Sequence, residues 1–144
     1  MNLPAQVVID ASVAIKWVIK EPGNAEAVLL LDHQLMAPDL FCVECANILW
    51  KKVARGELSP DEAEVAARAL ENVEIEFIAM RSYLAAATAL AIQLGHPAYD
   101  CVYLAVAITM QVPFVTADQR FVQKVRQVSS SLRERVVALA EVNR

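Results

Sequence analysis

Apolar positions along the chain follow two spacings: short runs that are unbroken or alternate, and longer stretches in which apolar residues recur every three or four positions. The first spacing suits strands and the second suits helices. Val7-Val8-Ile9 is the first unbroken run, and three apolar β-branched residues in succession suit a strand covered on both faces, as in a parallel sheet. The run stops at Asp10 and passes into a helical pattern over 11–19, which Glu21-Pro22-Gly23 breaks before a second helix over 24–33. Leu35-Met36-Ala37-Pro38 is a second strand, after which Asp39 is placed to cap a helix over 41–55 that closes at Gly56. Ser59-Pro60-Asp61-Glu62 opens the next helix, to 72, with Ser59 as N-cap, Pro60 at the first helical position and Glu62 closing a capping box. Glu74 to Ile78 alternates polar and apolar, which predicts a third strand at or near a sheet edge. An alanine-rich helix over 81–94 ends at Gly95, and His96-Pro97 separates it from a helix over 98–110. A fourth strand over 112–116 leads into a helix over 119–126, residues 129–131 read as a loop, and 136–139 as a last short strand or a terminal helix. Strands alternating with helices throughout predict one α/β domain over 1–144, a three-layer α/β/α arrangement with a mostly parallel central sheet.

Composition narrows the class. At 144 residues, 57% of them hydrophobic, with 3 Gly and 6 Pro, the chain can build a sizeable core and still expose apolar surface, which predicts a partner or a homo-oligomer. No signal-peptide pattern opens it and no apolar stretch approaches the length of about 20 residues that spans a bilayer, so a cytoplasmic protein without membrane contact is expected. The 3 cysteines do not suggest a disulfide framework. Cys42-Val43-Glu44-Cys45 has CxxC spacing but lies in a helical run, and zinc would lack ligands beyond the scattered Cys101, His33 and His96; buried free thiols and surface or loop histidines are expected. A net charge of −4 argues against binding nucleic acid through global charge, although Lys51, Lys52 and Arg55, Arg120, Lys124 and Arg126, and Lys16 with Lys20 form local basic clusters. Most of these read as solvated helix faces.

Four acids share one description. Asp10 and Asp118 end strands, while Glu44 and Asp100 fall in the first turns of helices beside apolar runs. In a parallel sheet, strand carboxyl ends and the following helix N-termini lie along one edge, so these four can converge there. Clustered carboxylates repel one another and resist desolvation, so a divalent cation is the natural neutralising group, and an all-oxygen ligand set suits Mg²⁺ or Mn²⁺. Such an ion serves hydrolytic phosphoryl-transfer chemistry. Ser12 and Thr116 are placed to orient an acid or a bound water through their hydroxyls. Each acid also has a plainer role: helix caps for Asp10 and Asp118, a favourable helix-dipole position for Asp100, a solvated face for Glu44. Glu44 resists that explanation most, because it lies among Phe41, Val43, Ala46, Ile48 and Leu49.

At these residues the chain resembles a PIN domain, and more narrowly the VapC toxins of toxin–antitoxin pairs. Val8-Ile9-Asp10-Ala11-Ser12 resembles the family's opening strand motif, and Glu44 matches its helix glutamate. Tyr99 to Ala105 (Tyr-Asp-Cys-Val-Tyr-Leu-Ala) resembles the central acidic helix, and Thr116-Ala117-Asp118-Gln119-Arg120-Phe121 the closing T-x-D-x-x-F pattern. The resemblance implies a Mg²⁺- or Mn²⁺-dependent endoribonuclease, usually a homodimer, held inactive by a small VapB-like antitoxin, with Asp10, Glu44, Asp100 and Asp118 as catalytic metal ligands. Some relatives place a further acid near the last aspartate, where this chain has Gln119 and Arg120, so one and two ions both stay open. PIN domains also occur in RNA-processing factors outside toxin pairs. A phosphatase using Asp10 as nucleophile would want a second aspartate two residues on, where Ser12 stands. A nucleotide-binding fold would want a Gly-rich loop, which Gly23, Gly56 and Gly95 do not form. A non-catalytic interaction module is the remaining alternative.

Overall fold

Residues 2–143 are described by the computed structural model of the chain, and its centre is the strand built on Val7-Val8-Ile9. Strands β1 (Gln6–Ile9), β2 (Gln34–Pro38), β3 (Glu76–Ile78), β4 (Phe114–Thr116) and β5 (Val136–Ala138) form one sheet in the order β3-β2-β1-β4-β5, with every pairing parallel. Val8 is the hinge of the register, paired with Met36 of β2 on one side and Phe114 of β4 on the other. Val7, Val8, Ile9, Phe114 and Val115 are completely buried, as strands covered on both faces must be. β3 lies at the edge, with Glu76 and Phe77 exposed, as its alternating pattern predicts.

Helices cover both faces. α1 (Ala11–Val18), α2 (Asn24–Leu29), α3 (Leu40–Ala54) and α4 (Pro60–Glu71) pack on one another as one layer. α5 (Leu84–Leu94), α6 (Ala98–Met110) and α7 (Gln119–Val128) form the other, with α6 lying against β1, β2 and β4. The expected three-layer α/β/α arrangement is therefore present. Tyr103 of α6 stacks on Phe114 at 5.4 Å between ring centroids, and Phe121 of α7 tilts against the same ring at 6.1 Å, which fixes both helices against the sheet beneath its carboxyl edge.

Several local expectations change. Asp39 does not cap α3: its backbone is already αR at φ −64°, whereas a capping side chain needs an extended residue to fold back onto the first turn. The helix expected over 24–33 is α only to Leu29 and tightens to a 3₁₀ turn over Leu30–Asp32, and that expected over 81–94 opens with a 3₁₀ turn over Arg81–Tyr83. The fourth strand starts at Phe114, since the Val112 N–H is taken by the Ala107 carbonyl as α6 ends. The last segment is a strand, β5, followed by a 3₁₀ turn over Leu139–Glu141. The capping box at Ser59 and Glu62 forms in both directions, at 3.1 and 2.9 Å.

The chain adds β2 and β3 on one side of β1, then returns to add β4 and β5 on the other. The carboxyl ends of β1 and β4 thus flank the point where strand order reverses. In open parallel sheets this is where connections diverge and a crevice opens. Asp10 follows one of these strands and Asp118 follows the other by two residues.

Candidate active site

Asp10 is 5% exposed and is the N-cap of α1, its Oδ1 accepting the Val13 N–H at 3.2 Å. Two hydroxyls also donate to it, Ser12 to Oδ1 at 2.6 Å and Thr116 to Oδ2 at 2.6 Å. The same hydroxyl oxygens accept backbone N–H groups from the other side of the crevice, Ser12 Oγ from Ala117 and Thr116 Oγ1 from Asp118, both at 3.1 Å. One network therefore ties the end of β1 to the end of β4. Asp118 is itself the N-cap of α7, with Oδ1 accepting the Phe121 N–H at 3.1 Å.

The two helical acids are each held by one oxygen. Glu44 Oε1 accepts the Tyr103 hydroxyl at 2.5 Å, and Asp100 Oδ2 lies 2.8 Å from His96 Nε2. Tyr103 is fully buried, and the His96 ring packs on Phe121 at 4.8 Å, so both partners are anchored in the core. Sequence reasoning assigns neither a role. The expectation for His96 is a surface or a loop; it does lie in the loop between α5 and α6, but half-buried and turned onto Asp100. The spacing His96-x-x-x-Asp100 is the available signal, because residues four apart face each other across one turn. For Tyr103 no local signal exists, since its partner is 59 positions away in sequence.

Electrostatics show that the acids share a field. Burial pushes the Asp10 carboxyl up to about 7, with the charge of Asp100 adding to it and the Ser12, Thr116 and Val13 hydrogen bonds opposing. Burial also raises Glu44, where Asp100 adds and Tyr103 opposes. Asp100 is raised by burial and by Asp118, against His96. Asp100 thus stands between the other three, each coupled to it by like charge.

Among the described residues, no three His, Cys, Asp or Glu side chains are gathered closely enough to hold an ion as they stand. The donor set nevertheless suits a hard cation. Glu44, Asp100 and Asp118 each keep a second carboxylate oxygen that no hydrogen bond within the described residues engages. Asp10 keeps a lone-pair site on Oδ2. All are oxygens, and their mutual repulsion is what a divalent ion relieves.

Two of the cysteines offer no competing chemistry. All three are free, and burial pushes the Cys45 thiol up to about 12 and the Cys101 thiol to about 11, so neither supplies a thiolate at neutral pH. Cys42, expected to be buried with Cys45, is exposed, because only one of the two reaches the core side of α3. His33 immediately precedes β2 at the amino edge of the sheet, its Nδ1 2.7 Å from the Pro4 carbonyl.

Comparison with known proteins gives the family of this fold. The chain is 35% identical over 126 residues to Ribonuclease VapC3 of Pyrobaculum aerophilum, a match covering 83% of this chain and 94% of that one. The crystal structure of PAE2754 from the same organism superposes with a TM-score of 0.71 over 94% of this chain and 90% of that one, at 19% identity, which shows a common fold. Residues 7–126, from the strand that presents Asp10 to the helix that Asp118 caps, match the PIN domain, and the chain belongs to that family.

Proposed function

We propose that the chain is a metal-dependent endoribonuclease, the toxin of a VapBC-type toxin–antitoxin pair, hydrolysing RNA phosphodiester bonds at the carboxylate cluster. The observation that carries this reading is the set of four electrostatically coupled acids at the strand-order reversal, in a chain 35% identical to a protein named a ribonuclease. Asp10, Glu44, Asp100 and Asp118 would hold Mg²⁺ or Mn²⁺. When bound, that ion supplies an activated water and stabilises charge on the phosphate and the departing oxygen.

The remaining chemistry belongs to the chain. Asp10, fixed by Ser12, Thr116 and the start of α1, presents a charge whose direction cannot drift. Tyr103 and His96 hold Glu44 and Asp100 in the same way, each by one oxygen, so the other oxygen is left for the crevice chemistry. Hydrolysis adds water across one P–O bond: the water oxygen joins phosphorus, the bond to the departing oxygen breaks, and the proton that the water gives up ends on that departing oxygen.

The exposed apolar side chains fit a protein that works in company. Trp50, Leu84 and Ile92 are 63%, 71% and 77% exposed, and a homodimer and a VapB-like antitoxin are the partners proposed for such surface. Among the described residues no helix is long and apolar enough to cross a membrane, and a cytoplasmic location is proposed.

The test is cleavage of structured and single-stranded RNAs by the purified protein with Mg²⁺, Mn²⁺ or EDTA, beside Asp10→Asn and Asp100→Asn. Cleavage that EDTA and both substitutions abolish is expected. No cleavage of any RNA, with no thermal shift on adding either metal, would leave an interaction module.

A further inference from the structure

A groove of about 370 Å³ opens beside Asp118, lined by Ser12 and Asp118 together with Lys16, Lys51, Lys52 and Arg55. Glu21 lies among these cations, and Asp118 is the other anion of the lining. Glu21 bridges Lys16 Nζ at 2.9 Å and Lys52 Nζ at 3.0 Å, two ammonium groups whose side chains are only 14% and 17% exposed. Glu21 is only partly shielded, and the two lysines hold its carboxyl below the usual range in spite of that burial. The pair carries one more positive charge than Glu21 cancels, and each ammonium has three donors, of which Glu21 takes one.

The loop that carries Glu21 is braced for this arrangement. Asn24 donates from Nδ2 to the Lys16 and Ile19 carbonyls and accepts the Glu21 N–H at 2.7 Å. Gly23 has φ +97°, and a Cβ there would lie 3.1 Å from Lys16 Cδ, so the lysine stem runs along the space that glycine leaves open.

α3 gives the groove its direction. Glu44, Ile48, Lys51 or Lys52, and Arg55 recur at the spacing of one helix face, and at 1.5 Å per residue Lys51 and Arg55 lie about 10 and about 17 Å along the axis from Glu44. Lys51 and Arg55 are exposed and belong to none of the ion pairs found among the described residues. In a chain of net charge −4, four cations against two anions, Glu21 and Asp118, in one groove form a local field of opposite sign.

We propose that this groove is the track of the substrate strand, in which Lys16 and Lys52, aligned by Glu21, and then Lys51 and Arg55 bind successive phosphates flanking the one cleaved at the acids. The proposal rests on the nuclease reading above and adds the polarity of the site: the polynucleotide leaves the acids along α3 toward its carboxyl end. The ligand is a strand and not a mononucleotide, because the outer cations stand too far from Glu44 for one nucleotide to reach both.

The experiment compares the parent with Lys51→Gln/Arg55→Gln and with Lys52→Gln, using an oligoribonucleotide long enough to span the groove and a dinucleotide. For the double variant the KM for the long RNA should rise several-fold with kcat unchanged, and the slope of log(kcat/KM) against log salt should fall by about 1.4, or about 0.7 per cation on a single strand. Dinucleotide cleavage and thermal stability should not change, since Lys51 and Arg55 belong to no ion pair among the described residues. Lys52→Gln should show the same KM effect, and Lys52→Arg should restore it. If the parent cleaves RNA but the double variant keeps its KM and salt slope, the track is wrong and the nuclease reading stands; the same holds if the variant loses only affinity for an acidic peptide. If the parent cleaves no RNA, both readings fall.

Discussion

Asp10 follows β1 and Asp118 follows β4, and each caps the next helix by accepting the N–H three residues on, from Val13 at 3.2 Å and from Phe121 at 3.1 Å. In sequence they are the same device: a short apolar strand, an aspartate, an amphipathic helix. Their surroundings separate them. Asp10 is 5% exposed and takes two further hydroxyl hydrogen bonds, while Asp118 is half-buried and its carboxylate accepts only the capping one. β1 is the middle strand of five, so whatever ends it is enclosed by β2, β4 and the helices on both faces; Asp118 lies two residues past β4, beyond that enclosure. A cap needs only an acceptor, which an amide supplies equally well. A buried negative charge needs a reason to stay, and under the nuclease reading that reason at Asp10 is catalysis.

The strongest way to break this contrast is Asp10→Asn. The amide keeps the shape and an acceptor but not the charge, so RNA cleavage should fall about 10²–10³-fold while the protein stays folded. Cleavage retained within a few-fold would show that the buried charge serves the fold alone.

The second test reads the same charge through stability. Asp10 titrates near 7 when folded, against the ordinary value of 3.8. Between those values the folded protein keeps a proton that the unfolded chain has released, so the slope of stability with pH is negative there. The contribution of Asp10 is therefore most favourable below about pH 4 and is lost as pH rises through 7. It amounts to a few kcal/mol at most, since each pH unit between the two values is worth about 1.4 kcal/mol. Urea melts in EDTA should show wild type falling relative to Asp10→Asn over that window. Adding Mn²⁺ at neutral pH should recover the loss in wild type and do nothing for the variant.

Thr116→Val sharpens the contrast from the hydroxyl side. It removes the donor to Asp10 Oδ2 and the acceptor of the Asp118 N–H at nearly constant volume, and should cost about 1–3 kcal/mol in the same melts. Asp118 should respond least: Asp118→Asn within about 0.5 kcal/mol of wild type and Asp118→Ala about 1 kcal/mol below it, as for an ordinary N-cap. A larger loss for Asp118→Asn would mean that the two aspartates are more alike than their burial implies.

Much of the fold was legible because its signals are local. The β-branched run at Val7-Val8-Ile9, the Ser59–Glu62 capping box and the alternation in Glu74 to Ile78 each name an element without reference to the rest of the chain, and each element is present, the third strand shortened to Glu76–Ile78. Asp39 shows the limit of such signals. Its residue type suits a cap, but a backbone already turned to αR after Pro38 leaves the side chain no route to the first N–H groups. Cys42 fails for a similar reason: spacing along a helix says which residues share a side, not which side the neighbouring layer covers.

The candidate site divides along the same line. Which acids are candidates could be argued from strand ends and helix starts, since a parallel sheet sends both to one edge. What holds them could be argued only in part. Ser12 and Thr116 could be placed beside an acid from their positions at the strand ends, and both donate to Asp10; Tyr103 reaches Glu44 across 59 positions, and no spacing pairs the two. The groove with Glu21 between Lys16 and Lys52 likewise joins a loop after α1 to the second half of α3. By itself the sequence determined the order of strands and helices, the chemistry available at their ends and the surplus of apolar surface, all properties that a few neighbouring residues carry. Only the tertiary structure decided which charge is buried, which hydroxyl and ring hold each carboxylate, and where the cations face, because burial and pairing are set by chain segments that meet only after the sheet has closed around β1.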